Sequence, residues 1–204
     1  MPLGANKVAL FGVAGVSTGT AVLLSTATAS SSSSLSFTLP TAYKQVTFGF
    51  YNITPATDVQ KLTFQTSTDG GSSYGVTVTS TAFRAIHDES DAQAEMGYDG
   101  GNDLAQSTSF NPLGGTIGNG ADESTSGELT LYNPASTTYV KHWTSTFNLV
   151  EASNTTMVQH HAGYFNDGSN DLHPMALRPQ AHFFFLFTLN LAQPLVSIIP
   201  LHTI

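Results

Sequence analysis

One short segment of the chain concentrates side chains that bind divalent cations. The sequence His87-Asp88-Glu89-Ser90-Asp91 holds one imidazole and three carboxylates, and carboxylate oxygens are the ligands that Ca²⁺ prefers. The segment lacks the EF-hand pattern, in which alternating acidic residues precede a glycine and a distal glutamate. We therefore interpret these residues as solvated loop acids, and we predict neither a metal site nor a cofactor.

A second candidate for metal binding is the pair His160 and His161, which lies in a segment with strand-like alternation. Neighbouring residues of a strand point to opposite faces, so the pair cannot share a metal unless the strand bulges. His142 is a further imidazole that a neighbouring strand can bring close, and histidines stacked around a trimer axis bind transition metals. Packed or surface histidines are the preferred interpretation.

The sequence gives no positive sign of an enzyme. It contains no Gly-x-Ser-x-Gly elbow, and no phosphate loop, dinucleotide fingerprint or His-Glu-x-x-His zinc motif. A Ser-His-Asp triad is an alternative that the sequence leaves undecided, because the chain is rich in serine. The sequence also does not distinguish a catalytic pair of glycosidase carboxylates from acidic residues in loops. We predict a non-enzymatic protein and keep a hydrolase as the third alternative.

Aromatic side chains are the remaining candidates for ligand recognition. Tyr98 and Tyr74 are the residues that we select for a sugar-binding surface, which is the alternative function. Aromatic residues in strands are more often part of the core, and we expect Trp143 to be buried.

The composition limits the classes of partner. Charged residues are 10% of the chain, and only six Lys and Arg oppose fourteen Asp and Glu, for a net charge of −8. Nucleic-acid binding needs clustered cations and is not expected. The chain has no cysteine, and no apolar run reaches the ~18 residues of a membrane helix. We therefore predict neither a thiol site nor a membrane-spanning segment.

The elements that must position these residues are predicted to be strands. Residues 45–83 contain three segments that alternate apolar and polar residues, which indicates strands with one buried face. Pro55 interrupts the first connection, and Asp69-Gly70-Gly71 in the second is typical of a hairpin. We interpret residues 45–83 as a β-meander.

The rest of the chain is predicted to complete an antiparallel β-sandwich of about eight to ten strands. A serine run over 30–34 and a glycine-rich segment over 111–121 are predicted to be loops, and residues 86–96 one or two helical turns. Further strands are predicted at 21–27, 35–39, 127–132, 138–150 and 156–165.

Two apolar segments flank the predicted sandwich, which we assign to residues 20–171. Residues 1–19 are predicted to be an extended arm. This arm packs on its own domain, adds to the sheet of a partner, or is a frayed end. From residue 172 to 204 only Arg178 is charged, so this segment supplies either the closing strands or an assembly tail. Long apolar runs must be covered by the core or by another subunit. The residues that we select for assembly are Leu10, Phe11, Val13, Phe183, Phe185, Ile198 and Ile199.

Three blocks of residues 20–165 resemble a family of tailed-bacteriophage virion proteins. The most specific are YNITPATD, STDGGSSYG and GELTLYNPASTTYVKHW. The resemblance implies a jelly-roll-like sandwich that is a tail, fibre or capsid-decorating component. The expected partners are copies of the chain, as a homotrimer, and other virion proteins, and a host glycan is the alternative ligand. The resemblance carries over no catalytic residue.

The chain departs from that family near Asp171. Family members end with a polar strand, a turn and a last strand similar to TIKLYG, whereas this chain ends in a strongly apolar segment. This segment is either a hydrophobic assembly element or the product of a late change of reading frame.

Overall fold

The computed structural model describes residues 23–151, 153–166, 172, 175–179 and 183–192. The regular elements in these ranges are all β-strands. None of the described residues belongs to a helix with the length and apolar character needed to span a membrane. The strands are β1 (Leu23–Ser32), β2 (Leu35–Phe37), β3 (Gln45–Pro55), β4 (Gln60–Thr66), β5 (Val78–Asp88), β6 (Ala94–Tyr98), β7 (Asn111–Ile117), β8 (Thr125–Tyr132), β9 (Lys141–Glu151), β10 (Thr155–Phe165), β11 (Met175–Pro179) and β12 (Phe183–Ala192).

These strands form two antiparallel sheets. The larger has the order β1-β12-β3-β8-β9-β10-β5-β6, and the smaller has the order β2-β11-β4-β7. Eight strands remain when β5, β6, β9 and β10 are set aside, and they can be counted from first to eighth along the chain. In the larger sheet their order is then first, eighth, third, sixth, and in the smaller sheet it is second, seventh, fourth, fifth. This is the strand order of a jelly roll. The predicted antiparallel, jelly-roll-like β-sandwich is therefore confirmed, but the predicted number of about eight to ten strands is too low, since the described residues form twelve.

The segment after residue 171 contributes β11 and β12 to this sandwich. The backbone of β12 lies between β1 and β3, with Phe183 paired to Pro55 and Phe185 paired to Ala29. This segment was predicted to supply either the closing strands of the sandwich or an assembly tail. Its described part forms closing strands, so the sandwich continues beyond residue 171. The assembly candidates Leu10, Phe11, Val13, Ile198 and Ile199, and the whole predicted arm, lie outside the described residues.

The predicted β-meander is wrong, although its strands exist. β3 pairs with β8 and β12, β4 pairs with β7 and β11, and β5 pairs with β6 and β10. Alternation reveals which side chains face a core, but in a two-sheet fold it does not reveal which strand is the neighbour. The Asp69-Gly70-Gly71 turn does form, with φ of 73° at Gly70, but it lies in a connection between the two sheets.

Three other local predictions are also wrong. Residues 86–96 form the end of β5, a turn and the start of β6, and residues 111–117 of the predicted loop form β7. The glycines of β7 serve close packing: a Cβ built on Gly115 would lie 2.8 Å from the sulfur of Met157. β1 likewise continues through Ser32 into the serine run.

The core between the sheets is built on aromatic side chains. The ring of Phe64, from the smaller sheet, lies edge-on to Trp143 of β9 with centroids 5.1 Å apart, and it also meets Phe165 at 5.9 Å. Edge-to-face pairs of this kind contribute beyond the burial of their area. Trp143 is 1% exposed, which confirms the expectation that it belongs to the core.

The four strands outside the jelly-roll order widen the larger sheet on one side. In β9 the buried residues alternate with exposed ones along the strand, so this extension has an inner face on the core and an outer face in solvent. The last strand, β6, is exposed at all five of its residues. The extension therefore presents one broad outer face and one free edge.

Candidate functional site

The outer face of the extension carries a row of aromatic rings, which we call the outer aromatic row: Tyr98 of β6, Phe83 of β5 and His160 of β10. The register places Phe83 directly between the other two. The rings of Phe83 and His160 stack with centroids 4.9 Å apart and an interplanar angle of 23°. Tyr98 is 63% exposed and Phe83 is 49% exposed. Three aromatic side chains are thus aligned across three strands and open to solvent.

A shallow depression of about 360 Å³ adjoins this row. Its floor is Ala162, whose small side chain lies between Thr81 and Thr144 in the register. On the side away from the outer aromatic row, the rings of His142 and Tyr164 stand edge-on at 6.4 Å. Aromatic walls with a few hydroxyl and imidazole groups suit a ligand that offers both apolar faces and hydroxyls, as a sugar ring does.

Hydrogen bonding fixes the ring of Tyr98. Its hydroxyl donates to the carboxylate of Asp103, and this bond raises the pKa of Tyr98 because ionisation would remove the donated proton. The other predicted sugar-binding residue, Tyr74, precedes β5 and donates from its hydroxyl to Ser36 Oγ at 3.4 Å, beside β2 of the smaller sheet. The structure places Tyr98 in the outer aromatic row and Tyr74 elsewhere.

Phe83 was not among the predicted ligand-binding residues, and His160 was considered only with His161 as a metal ligand. A signal for Phe83 was present, since Val78, Ser80 and Ala82 alternate as buried residues and Phe83 falls on the opposite parity. His160 needed the register between β5 and β10, which sequence alternation does not supply.

The acidic segment from His87 to Asp91 shapes the turn between β5 and β6. The carboxylate of Asp88 accepts hydrogen bonds from the Ser90 hydroxyl at 2.6 Å and from the backbone N–H groups of Ala92 and Gln93 at 2.8 and 2.9 Å. These bonds, with that of Ser90 the largest, hold the pKa of Asp88 below its usual value. Among the described residues, no three His, Asp or Glu side chains converge as a metal site would require.

His160 and His161 do point to opposite faces, as expected. His161 is 3% exposed on the inner face, and burial lowers its pKa to about 4, against a smaller opposing effect of the Asp99 charge. Neither of its ring nitrogens has a hydrogen-bond partner within the described part of the chain. His161 is therefore a neutral core imidazole at physiological pH.

Other polar side chains are buried together with this histidine. We define the interior polar cluster as Asp99, Asn102, Gln159 and His161. Asp99 Oδ2 accepts hydrogen bonds from Gln159 Nε2 at 2.6 Å and from Asn102 Nδ2 at 2.7 Å. Arg84 Nη1 lies 3.8 Å from the same oxygen. Donated amide hydrogens and a nearby guanidinium thus provide polar partners for this almost buried side chain.

One serine and one histidine are neighbours on the inner face of the described larger sheet. Ser145 lies beside His161 in the ladder, yet its hydroxyl and both imidazole nitrogens make no hydrogen bond with any described residue. A serine nucleophile needs a hydrogen bond to its activating base. Ser145 and His161 therefore lack the hydrogen bond that joins a nucleophile to its base, and both side chains are buried.

A scan against protein-family models, a search of curated proteins and a search of solved structures each find no match to this chain.

Proposed function

We propose that this chain is a non-enzymatic structural protein of a tailed-phage virion, located in the virion as a tail, fibre or capsid-decorating subunit. It acts by assembling with copies of itself, as a homotrimer, and with other virion proteins. The resemblance of residues 20–165 supports this role, and the jelly roll suits it because that fold builds many viral shells.

The observation that carries the proposal is where the apolar termini join the sandwich. Leu23, the first residue of β1, pairs with Asn190 near the end of β12, at one edge of the larger sheet. The segments 1–22 and 193–204 therefore connect to the sandwich at the same corner. These segments contain apolar residues such as Phe11 and Ile198, and in this proposal burial of apolar side chains against a neighbouring subunit drives assembly.

Two truncations separate assembly from folding. A chain that lacks residues 1–16, and a chain that stops after Ala192, both keep the twelve described strands, so we expect unchanged circular dichroism and lost incorporation into virions in infected cells. A chain that stops at Asp171 lacks β11 and β12 and is the unfolded control. Normal incorporation of both folded truncations would refute this proposal.

The trimer is tested by absolute mass. Light scattering after size exclusion is expected to give three times the chain mass of 21.5 kDa for the full chain, and fewer than three chains per particle for the two folded truncations. Three chains per particle in both truncations would show that the termini do not hold the subunits together.

A second candidate function, recognition of host-surface glycans, is favoured by the outer aromatic row and its depression. Sugar rings stack their C–H faces on exposed aromatic rings and offer hydroxyls to groups such as those of Thr81 and Thr144. In this case the protein binds the host through the outer face while its termini hold it in the virion.

A glycan array tests this second function with matched variants. Phe83→Ala and Tyr98→Ala each remove a ring of the outer aromatic row, whereas Tyr98→Phe keeps the ring and loses only the hydroxyl. Tyr139→Ala is the control, because Tyr139 is an exposed tyrosine outside the row. Binding that survives in both alanine variants of the row, or that is lost equally in the control, would exclude the row as the binding surface.

A further inference from the structure

The free edge of the larger sheet is β6, at the opposite end from β1 and the chain termini. Edge strands leave a row of N–H and C=O groups without partners, and proteins usually protect them. β6 carries Met96 at 78% exposure beside Tyr98, and it has neither proline nor lysine. Glu95 is the one charged side chain of this edge, which otherwise exposes small and apolar residues. An edge of this kind can pair with another strand when that charge is placed favourably.

Hydrogen bonds on the β5 side identify which backbone groups of β6 point away from every described strand. Asp99 donates its N–H to the Ala82 carbonyl at 2.9 Å, and Asp88 donates to the Gln93 carbonyl at 3.1 Å. Bonding alternates along an antiparallel pair, so residues 93, 95, 97 and 99 turn their N–H and C=O groups toward β5. Ala94, Met96 and Tyr98 turn theirs outward.

We propose that β6 is a two-fold contact at which two copies of this chain pair antiparallel, with Met96 opposite Met96 of the second copy. In this register Ala94 lies opposite the second copy's Tyr98, and Glu95 lies opposite its Gly97. All three residues with outward groups then become hydrogen-bonded pairs, which gives about six inter-chain backbone hydrogen bonds. The proposal does not depend on the virion role.

Charge selects this register over its neighbours. A shift by two residues in one direction places Glu95 opposite Glu95 of the second copy, and a shift in the other places Glu95 opposite Asp99. Like charges directly opposite each other destabilise a pair of strands. Only the register centred on Met96 both avoids these contacts and uses every outward group.

Side chains on both faces fit the same register. On the face of Glu95, a Cβ built on Gly97 would meet nothing within 4 Å, so the space above it is open. Arg84 lies beside Gly97 in the ladder, 3.8 Å from Glu95 of its own chain, and it faces the second copy's Glu95 across that space. On the other face, Met96 meets Met96 and Tyr98 meets Ala94, which buries apolar surface.

Single cysteines test the register, because the native chain has none. Hydrogen-bonded pairs have Cα atoms about 5.5 Å apart, within the range of a disulfide. Under mild oxidation of the full chain at about 0.1 mM, Met96→Cys is expected to form covalent dimers about tenfold faster than Glu95→Cys, because pairing raises its effective concentration. Exposure does not explain such a difference, since the Glu95 side chain is also 57% exposed.

A mixing experiment completes the test. Ala94→Cys and Tyr98→Cys are expected to cross-link with each other faster than either does alone. Met96→Pro, which removes an outward N–H from the edge, is expected to abolish the twofold rise in particle mass that pairing at β6 causes between dilute solution and that concentration. Faster cross-linking of Glu95→Cys, equal rates for all variants, or an unchanged rise in the mass of Met96→Pro would each overturn the proposal. These assays use purified protein, so their failure leaves incorporation into virions as a separate result.

Discussion

The buried neutral histidine predicts a specific loss of stability in acid. In the unfolded chain His161 regains its ordinary pKa of 6.5, whereas in the folded protein its pKa is about 4. As the pH falls through 6.5, His161 binds a proton in the unfolded state but not in the folded state. The free energy of unfolding therefore decreases. The decrease continues to about pH 4, below which both states bind the proton and the curve is flat for this group.

The size of the effect follows from the width of that window. The two pKa values differ by 6.5 − 4, about 2.5 units, and each unit corresponds to about 1.4 kcal/mol, so the total is about 3 kcal/mol. That is a large part of the stability of an ordinary domain, which is about 5–15 kcal/mol. Asp99 opposes the shift, while Lys61 and His160 reinforce it.

Urea unfolding between pH 7.5 and 4.0 measures this loss. His161→Gln is expected to flatten the pH dependence by about 3 kcal/mol relative to the native chain, whatever its stability at pH 7. His142→Gln is the matched control, because His142 is an exposed imidazole on the opposite face of the same sheet. Parallel curves for the native chain and His161→Gln would refute the reasoning that burial keeps His161 neutral.

Three further predictions concern the fold. Hydrogen bonds from Ser67 and Ser73 lower the pKa of Asp69 to about 2, so Asp69→Asn should lower the melting temperature at pH 7, and this difference should vanish as the pH falls from 3.8 through 2. Phe64→Ala removes a core ring and should cost about 3–5 kcal/mol in a denaturant titration. A Cβ on Gly163 would lie 2.7 Å from the Thr79 carbonyl oxygen, so Gly163→Ala should cost about 1–3 kcal/mol, whereas Gly100→Ala, whose Cβ meets only ordinary contacts, should be nearly neutral.

Period-two alternation predicted the strands well because a two-layer sandwich buries one face of each sheet. The strand over 138–150 was predicted to place Tyr139, Lys141, Trp143, Ser145 and Phe147 on one face. The last four are buried, whereas Tyr139 precedes β9 and is 71% exposed. Alternation does not carry pairing information, however. The sheets interleave strands far apart in the chain, as when β3 lies between β8 and β12, and local turn signals such as Asp69-Gly70-Gly71 cannot distinguish a hairpin from a crossover between sheets.

The candidate site was harder to predict than the fold because it depends on register. Tyr98 was selected from its type and its place near an irregular segment, but its partners in the outer aromatic row lie 15 and 62 positions away, at Phe83 and His160. Glycines misled the reading of β7 for a related reason. Their role at Gly115 is to admit the Met157 side chain from a distant strand, and that neighbour is invisible in the local sequence.

Tyr98 belongs both to the outer aromatic row and to the proposed two-fold edge, so the two proposals are linked. Pairing at β6 would place the outer aromatic rows of two copies on one continuous sheet surface, and two linked sites bind a multivalent glycan surface with avidity well above that of one site. Met96→Pro keeps every ring of the row. We therefore expect this variant to bind a soluble monovalent glycan as the native chain does, but to be retained at least about tenfold less on a glycan-coated surface. Equal retention on the surface would mean that sugar recognition, where it occurs, does not use the paired edge.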